Sequence, residues 1–495
     1  MTTTAAATAR PTLGESRAYQ RCINPACGAR FGVREVLVAC PRCGSLLDVA
    51  YDWSGFRHRD WSYFELRSGT RGPRGPAGAD HATASTLDFS GVWRFRDLLP
   101  FYDDEASIVS VGEGRTNLQR ADGLARGVGM DVQGGGRVYL QYEGFNPSGS
   151  FKDNGMAAAF THARMVGARR VACASTGNTS ASLAMYAAIL GLPCFVFIGD
   201  GKIAYGKLSQ ALEYGARTLQ IAGDFDACLA RVRQIAETRP EVGLYLMNSV
   251  NPFRLEGQKT IMYRVLEGLD WESPDWIVVP GGNLGNTAAF GKAFMELVDL
   301  GLVKKVPRIA VINARGARTL DRVYNDLGVR WGAPVASGWY ERAKVEAEYA
   351  RMDAANERAR TVATAIEINR PVNMPKALRT LAFMDGVVRS ADDAAMVEHK
   401  AMVGRFGFGC EPSSGATVAG VRLLRSEGVI KPHERVVCVL TGHLLKDPDV
   451  TVGYHTGIEM KQATTAAIGT PTGRWSNPPI KVADDLEAII GALES

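Results

Sequence analysis

The stretch Asn146-Pro147-Ser148-Gly149-Ser150-Phe151-Lys152-Asp153 sets one lysine just past a Ser/Gly turn. An extended run, Arg137 to Tyr142, gives way there to a helical pattern. A protonated lysine amine is a poor nucleophile; desolvation or a nearby cation lowers its pKa and frees it for Schiff-base chemistry. Alone, the stretch also reads as an ordinary helix-start turn with a surface lysine. Three further segments change that balance. Ala174-Ser175-Thr176-Gly177-Asn178-Thr179-Ser180 follows the apolar run Val171 to Ala174 and opens an alanine-rich helical stretch. Pro280-Gly281-Gly282-Asn283-Leu284-Gly285-Asn286-Thr287 follows the run Trp276 to Val279, and Thr441-Gly442-His443 ends the run Val436 to Leu440. In a parallel α/β sheet, ligands gather at the carboxyl ends of strands, so these loops are expected to converge on one crevice. Small residues and free backbone N–H groups at a helix start are how a fold cradles an anion.

Short apolar runs alternate with helical stretches from Arg137 onward: Val171 to Ala174, Cys194 to Ile198, Thr218 to Ile221, then runs opening at Leu244, Trp276, Ile309 and Val436. This alternation predicts βα units and a twisted parallel sheet. A length of 495 residues leaves room for about three domains by the usual prior. Apolar residues make up 46% and charged residues 22%, the proportions of a globular protein. A net charge of +5 is too weak to argue for nucleic acid or a membrane surface. No apolar stretch approaches the ~20 residues of a membrane span. The sequence has no Walker-type GK[ST] loop, HExxH zinc motif or GxSxG nucleophile elbow.

Of the nine cysteines, Cys22, Cys27, Cys40 and Cys43 form a C-x4-C and C-x2-C pair with Pro25, Gly28, Pro41 and Gly44 at the turns. Two such knuckles suit a structural zinc ion; two disulfides or idle thiols are the alternatives. Cys173, Cys194, Cys228, Cys410 and Cys438 sit mostly in apolar runs and read as core. The Thr/Ala-rich start, nearly free of acids, reads as a disordered tail rather than a transit peptide.

With Gly112-Glu113-Gly114, Asn248-Ser249-Val250-Asn251-Pro252-Phe253-Arg254-Leu255-Glu256-Gly257-Gln258, Glu411-Pro412 and Thr441-Gly442-His443-Leu444-Leu445-Lys446-Asp447-Pro448, the chain resembles the fold-type II pyridoxal phosphate enzymes of tryptophan synthase β-like fold, and within them the threonine synthases. The resemblance runs from about Trp93 to Pro448 and implies an α/β protein with two parallel-sheet lobes. Lys152 would hold pyridoxal 5'-phosphate through a Schiff base and then act as the mobile base. Gly282, Asn283, Leu284, Gly285 and Asn286 would seat the cofactor phosphate, Asn178 would lie beside the ring hydroxyl, and Thr441 would face the pyridine nitrogen. Ser175, Thr176 and Thr179 would hold the substrate carboxylate. Asn248, Ser249, Arg254 and Asn283 would grip the substrate's phosphate, a task that suits arginine's planar fork. The implied reaction turns O-phospho-L-homoserine and water into L-threonine and phosphate. A cysteate synthase-like replacement on another phosphorylated or phosphonate amino acid is the alternative enzyme, and a non-catalytic sensor the alternative class.

The implied organisation is a tail over 1–20, a zinc-ribbon-like module over 21–52 and a linker over 53–91, with Ser68 to Ala79 as its Gly/Pro/Arg-rich part. A catalytic unit follows over 92–453, with a smaller mobile lobe at about 153–268, and then a C-terminal extension over 454–495 that ends in a helical segment, Ala483 to Leu493. A cytoplasmic homodimer with a small phosphorylated amino-acid substrate, and without nucleic acid or membrane partners, is expected. Four places depart from the family's usual wording: Asn154 where arginine is common, Gly114-Arg115-Thr116-Asn117-Leu118, Leu444 where glycine is frequent, and Ile368-Asn369-Arg370-Pro371. Leu444 carries the sharpest physical expectation, since a branched side chain does not take positive φ cheaply.

Overall fold

The apolar runs become strands of three sheets in the computed structural model, which describes residues 17–58, 60–69, 86–199, 205–222, 225–457 and 473–494. In chain order the strands are β1 (Ala18–Cys22), β2 (Arg30–Gly32), β3 (Leu47–Tyr51), β4 (Asn117–Arg120), β5 (Arg137–Tyr142), β6 (Arg170–Ala174), β7 (Cys194–Gly199), β8 (Arg217–Ile221), β9 (Leu244–Leu246), β10 (Trp276–Pro280), β11 (Arg308–Ala314), β12 (Val387–Ala391) and β13 (Arg435–Leu440). The largest sheet has the order β12-β11-β10-β13-β5-β4 and is parallel except for β4, which pairs antiparallel with β5 at the edge. A second, wholly parallel sheet has the order β8-β7-β6-β9. The four-cysteine segment carries the third, the antiparallel β2-β1-β3. Strand β10, Trp-Ile-Val-Val-Pro, is buried at every position, as a strand covered by helices on both faces must be.

Two helices, Lys152–Met165 and Pro252–Glu267, are buried along almost their whole length. They cross where Gly257 meets the backbone of Asn154 and Gly155. A Cβ on Gly257 would lie 1.8 Å from the Asn154 carbonyl oxygen, so only glycine permits this approach. The Pro252–Glu267 helix is started by Asn251, whose side chain accepts the Phe253 N–H at 3.0 Å, with proline in the first turn. The crossing puts the start of one helix, with Lys152, beside the start of the other, with Arg254.

Three features differ from the reading of the sequence. Strand β1 begins at Ala18, inside the stretch read as tail, because residues 18–22 alternate in burial and pair with both neighbours. The stretch read as a linker is packed where it is described. Trp61 stacks on Trp271 at 4.3 Å and donates to the Leu302 carbonyl, and Phe64 is fully buried. Leu444 avoids positive φ: it sits in a short 3-10 turn after His443, with its side chain against Gly409. The C-terminal helix runs Leu486–Glu494. Most of the N-terminal tail, residues 70–79 of the Gly/Pro/Arg-rich part and 458–472 of the C-terminal extension lie outside the described residues.

Gly257→Ala forces the two central helices apart. The expected cost is about 1–3 kcal/mol, as for other overpacked cores, and urea denaturation measures it.

Candidate active site

The lysine turn is stitched to the end of β13. Phe151 N–H donates to the Thr441 carbonyl at 2.9 Å and His443 N–H to the Gly149 carbonyl at 2.9 Å, with Ser150 and Gly442 as bridge partners. Gly149, at φ +83°, supplies the turn. A cavity of about 900 Å³ opens beside this stitch, and all fourteen candidate residues outside the cysteine cluster line it. The structure therefore brings together Lys152, the 175–179 loop, Asn248, Ser249, Arg254, the 282–286 loop and Thr441.

Lys152 faces the cavity and its pKa falls to about 7. Desolvation is the main cause, the Arg254 guanidinium adds to it, and the Glu411 carboxylate opposes it. Near neutrality a large fraction of this amine is uncharged. Its ammonium form lies 4.0 Å from the Phe151 ring centroid.

Arg254 is 1% exposed and lines the same cavity. One Nη donates to the Met247 carbonyl at 2.8 Å, while Nε and the other Nη have no hydrogen-bond partner among the described residues. Burial lowers even this guanidinium, to about 10. A buried cation with unspent donors is costly unless an anion joins it. Asn248 is differently employed: its amide accepts the Ala174 N–H and donates to the Ala174 carbonyl, both at 2.9 Å, which fixes the end of β6. Ser249 offers its carbonyl to Asn373 at 3.1 Å.

Leu284 precedes the helix Gly285–Asp299 at φ +62°, a conformation costing a non-glycine residue about 1–3 kcal/mol and typical of functional loops. The loop is tight: a Cβ on Gly282 would come within 3.1 Å of Ile366. The first N–H groups of this helix have no intrahelical acceptor, and Gly285 and Asn286 line the cavity. Nearby, the Asn286 and Gln258 side-chain oxygens and the Thr287 hydroxyl are buried without partners among the described residues.

Glu411 was quoted only as part of a motif, yet it ties the site together. Its carboxylate accepts from the Asn178 amide and from the Thr441 hydroxyl, both at 2.7 Å. A Cβ on Gly442 would lie 2.6 Å from its carboxyl carbon, so glycine there makes room for it. Lys446, Gln258 and the 364–369 segment also line the cavity. Gln258 and Lys446 stand four and five residues past Arg254 and Thr441 within the same motifs, yet the reading of the sequence gives them no role.

The family described as pyridoxal-phosphate dependent enzyme matches residues 109–442, and the chain belongs to that family. It is similar to threonine synthase of Methanocaldococcus jannaschii, 39% identical over 434 residues that cover 88% of this chain and 94% of that one. Threonine synthase 2, chloroplastic, of Arabidopsis thaliana is 32% identical, covering 91% of this chain and 80% of its own. In fold, the chain is similar to an L-serine ammonia-lyase from Rhizomucor miehei, with a TM-score of 0.53, 17% identity, and coverage of 68% and 98%. The residues fit the family's cofactor: a partly neutral amine, a glycine loop at a helix start and unsatisfied buried donors surround one cavity.

Arg254→Met tests whether the cavity is built for a second anion. In cofactor-loaded protein, inorganic phosphate at ~100 times its dissociation constant stabilises the wild type by about 2.7 kcal/mol, and the variant gains nothing. Thermal denaturation reads the difference, and an equal gain in both proteins would refute it.

Proposed function

We propose that the chain converts O-phospho-L-homoserine and water to L-threonine and phosphate. The unpaired, buried guanidinium of Arg254 beside the low-pKa amine of Lys152 carries this reading, because the substrate must present a phosphate close to carbon-bound protons that move. Pyridoxal phosphate, when bound, supplies the electron sink for those proton removals. The 282–286 loop would hold its phosphate at the helix start, and Asn178 and Thr441 would hold its ring. A hydroxyl does not force a proton onto the ring nitrogen as a carboxylate would, which moderates the sink.

Lys152 would hold the cofactor and move protons at its Nζ. A base whose pKa lies near the working pH serves both directions of transfer. Arg254 and Ser249 take the substrate phosphate, with Asn283 beside them. Ser175, Thr176 and Thr179 take its carboxylate, in a loop where Ser175 already accepts the Gly177 N–H at 3.2 Å. Asn248 contributes by holding that loop's strand in place.

Incubation with O-phosphohomoserine, with O-phosphoserine plus sulfite, and with threonine separates the possibilities. Phosphate and threonine appearing together support the reading; turnover of O-phosphoserine alone would overturn it. Lys152→Ala is expected to abolish turnover. Uptake of pyridoxal phosphate by cofactor-free protein has a definite pH course. The attacking amine is the neutral form, so the rate climbs as pH rises through about 7 and then levels. A climb continuing towards ~10.4 would mark an ordinary lysine.

A further inference from the structure

We propose that Cys22, Cys27, Cys40 and Cys43 bind one zinc ion, and that the filled module clamps the two helices carrying Lys152 and Arg254. The four sulfurs lie within 4.8 Å of one another. Cys22 and Cys43 are 3.4 Å apart and Cys27 and Cys40 are 3.7 Å apart, far beyond the ~2.05 Å of a disulfide. A tetrahedral ion with Zn–S bonds of ~2.3 Å sets its sulfurs about 3.8 Å apart, so the cluster is already close to the required size. Both knuckles are shaped in advance. Gly28, at φ +56°, donates to the Asn24 carbonyl at 3.1 Å, and Gly44, at φ +70°, to the Cys40 carbonyl at 2.8 Å.

The metal's place in the chain gives it reach. Cys22 is the last residue of β1, and Cys43 stands four residues before β3, so the ion ties together the open end of the β1–β3 pair. From this small sheet three buried contacts run into the catalytic unit. The Val33 carbonyl meets His162 at 2.6 Å on the Lys152–Met165 helix. The Tyr51 hydroxyl donates to Glu256 at 2.6 Å, two residues from Arg254. Asp48 pairs with Lys376 at 3.0 Å and Arg379 at 2.7 Å on the helix Met374–Phe383. Glu256 in turn holds Lys259 and Lys292, each at 2.7 Å. Tyr51 is thereby a positioning residue for the helix that presents Arg254. The clamp does not depend on which substrate the cavity takes.

Elemental analysis of purified full-length protein should find roughly one zinc per chain and almost none in Cys40→Ser. Wild-type protein lacking zinc, or holding iron instead, overturns the metal assignment. Hydrogen exchange then tests the clamp. In chelator-stripped wild type, exchange in the Pro252–Glu267 helix should quicken about tenfold, or ~1.4 kcal/mol. Tyr51→Phe should quicken it too while retaining zinc. Faster exchange confined to residues 17–52 in the stripped protein, or no change in Tyr51→Phe, overturns the clamp. Neither readout needs turnover, so a wrong substrate leaves both intact, and the stripped wild type decides the matter should Cys40→Ser fail to fold.

Discussion

The candidate site is organised around a guanidinium buried with no carboxylate partner among the described residues. Arg254 has one donor satisfied by a backbone carbonyl and two of its three nitrogens left unmatched. Its position follows from a helix crossing so close that a glycine faces a carbonyl oxygen. The same crossing brings the positive field of Arg254 onto Lys152 and helps to hold that amine near neutrality. One packing constraint therefore places both the buried guanidinium and the amine of lowered pKa. A looser crossing would give the lysine back its charge and the arginine back its solvent.

Several other buried charges are paired. Glu143 meets Arg264 at 2.9 Å, Glu256 meets Lys259 and Lys292, and Asp48 meets Lys376 and Arg379. Removing one partner from such a pair typically costs 3–5 kcal/mol or so. Against that background Arg254 stands out among the described residues, with two buried guanidinium nitrogens unpartnered. Folded proteins break local rules of satisfaction mainly where a ligand completes them.

Much of this was legible in the sequence, and the part that was not has physical causes. Apolar runs before Ser/Gly loops marked β6, β7, β10, β11 and β13, because strands covered on both faces have no polar alternation to blur them. Strand β4, Asn-Leu-Gln-Arg, is largely exposed at a sheet edge and carries no apolar signal. Strand β12, Val-Val-Arg-Ser-Ala, is half-polar for the same reason. Loop composition at strand ends marked the 175–180, 280–287 and 441–443 segments, whereas Asn248, Ser249 and Arg254 and the role of each residue followed from the family resemblance. Glu411 was missed as a site residue because its meaning lies in contacts with Asn178 and Thr441, which are 233 and 30 positions away. The packed stretch around Trp61 was missed because Trp61, Tyr63 and Phe64 among polar neighbours make no periodic pattern.

The departures from the family's wording now separate into two kinds. Asn154 lies outside the cavity and donates to Glu143 at 2.7 Å, beside the Arg264 ion pair. An arginine at 154 would bring a second cation to a carboxylate that Arg264 already neutralises, so this change is absorbed within the fold. Thr116, in the second departure, joins the same cluster through its hydroxyl, 2.8 Å from Glu143. Leu444 is absorbed as well, since its turn needs no positive φ. Only Ile368 and Asn369 of the fourth departure reach the cavity wall. The one departure that reaches the cavity therefore lies in the 364–369 segment, where Ile366 packs near Gly282 of the glycine loop.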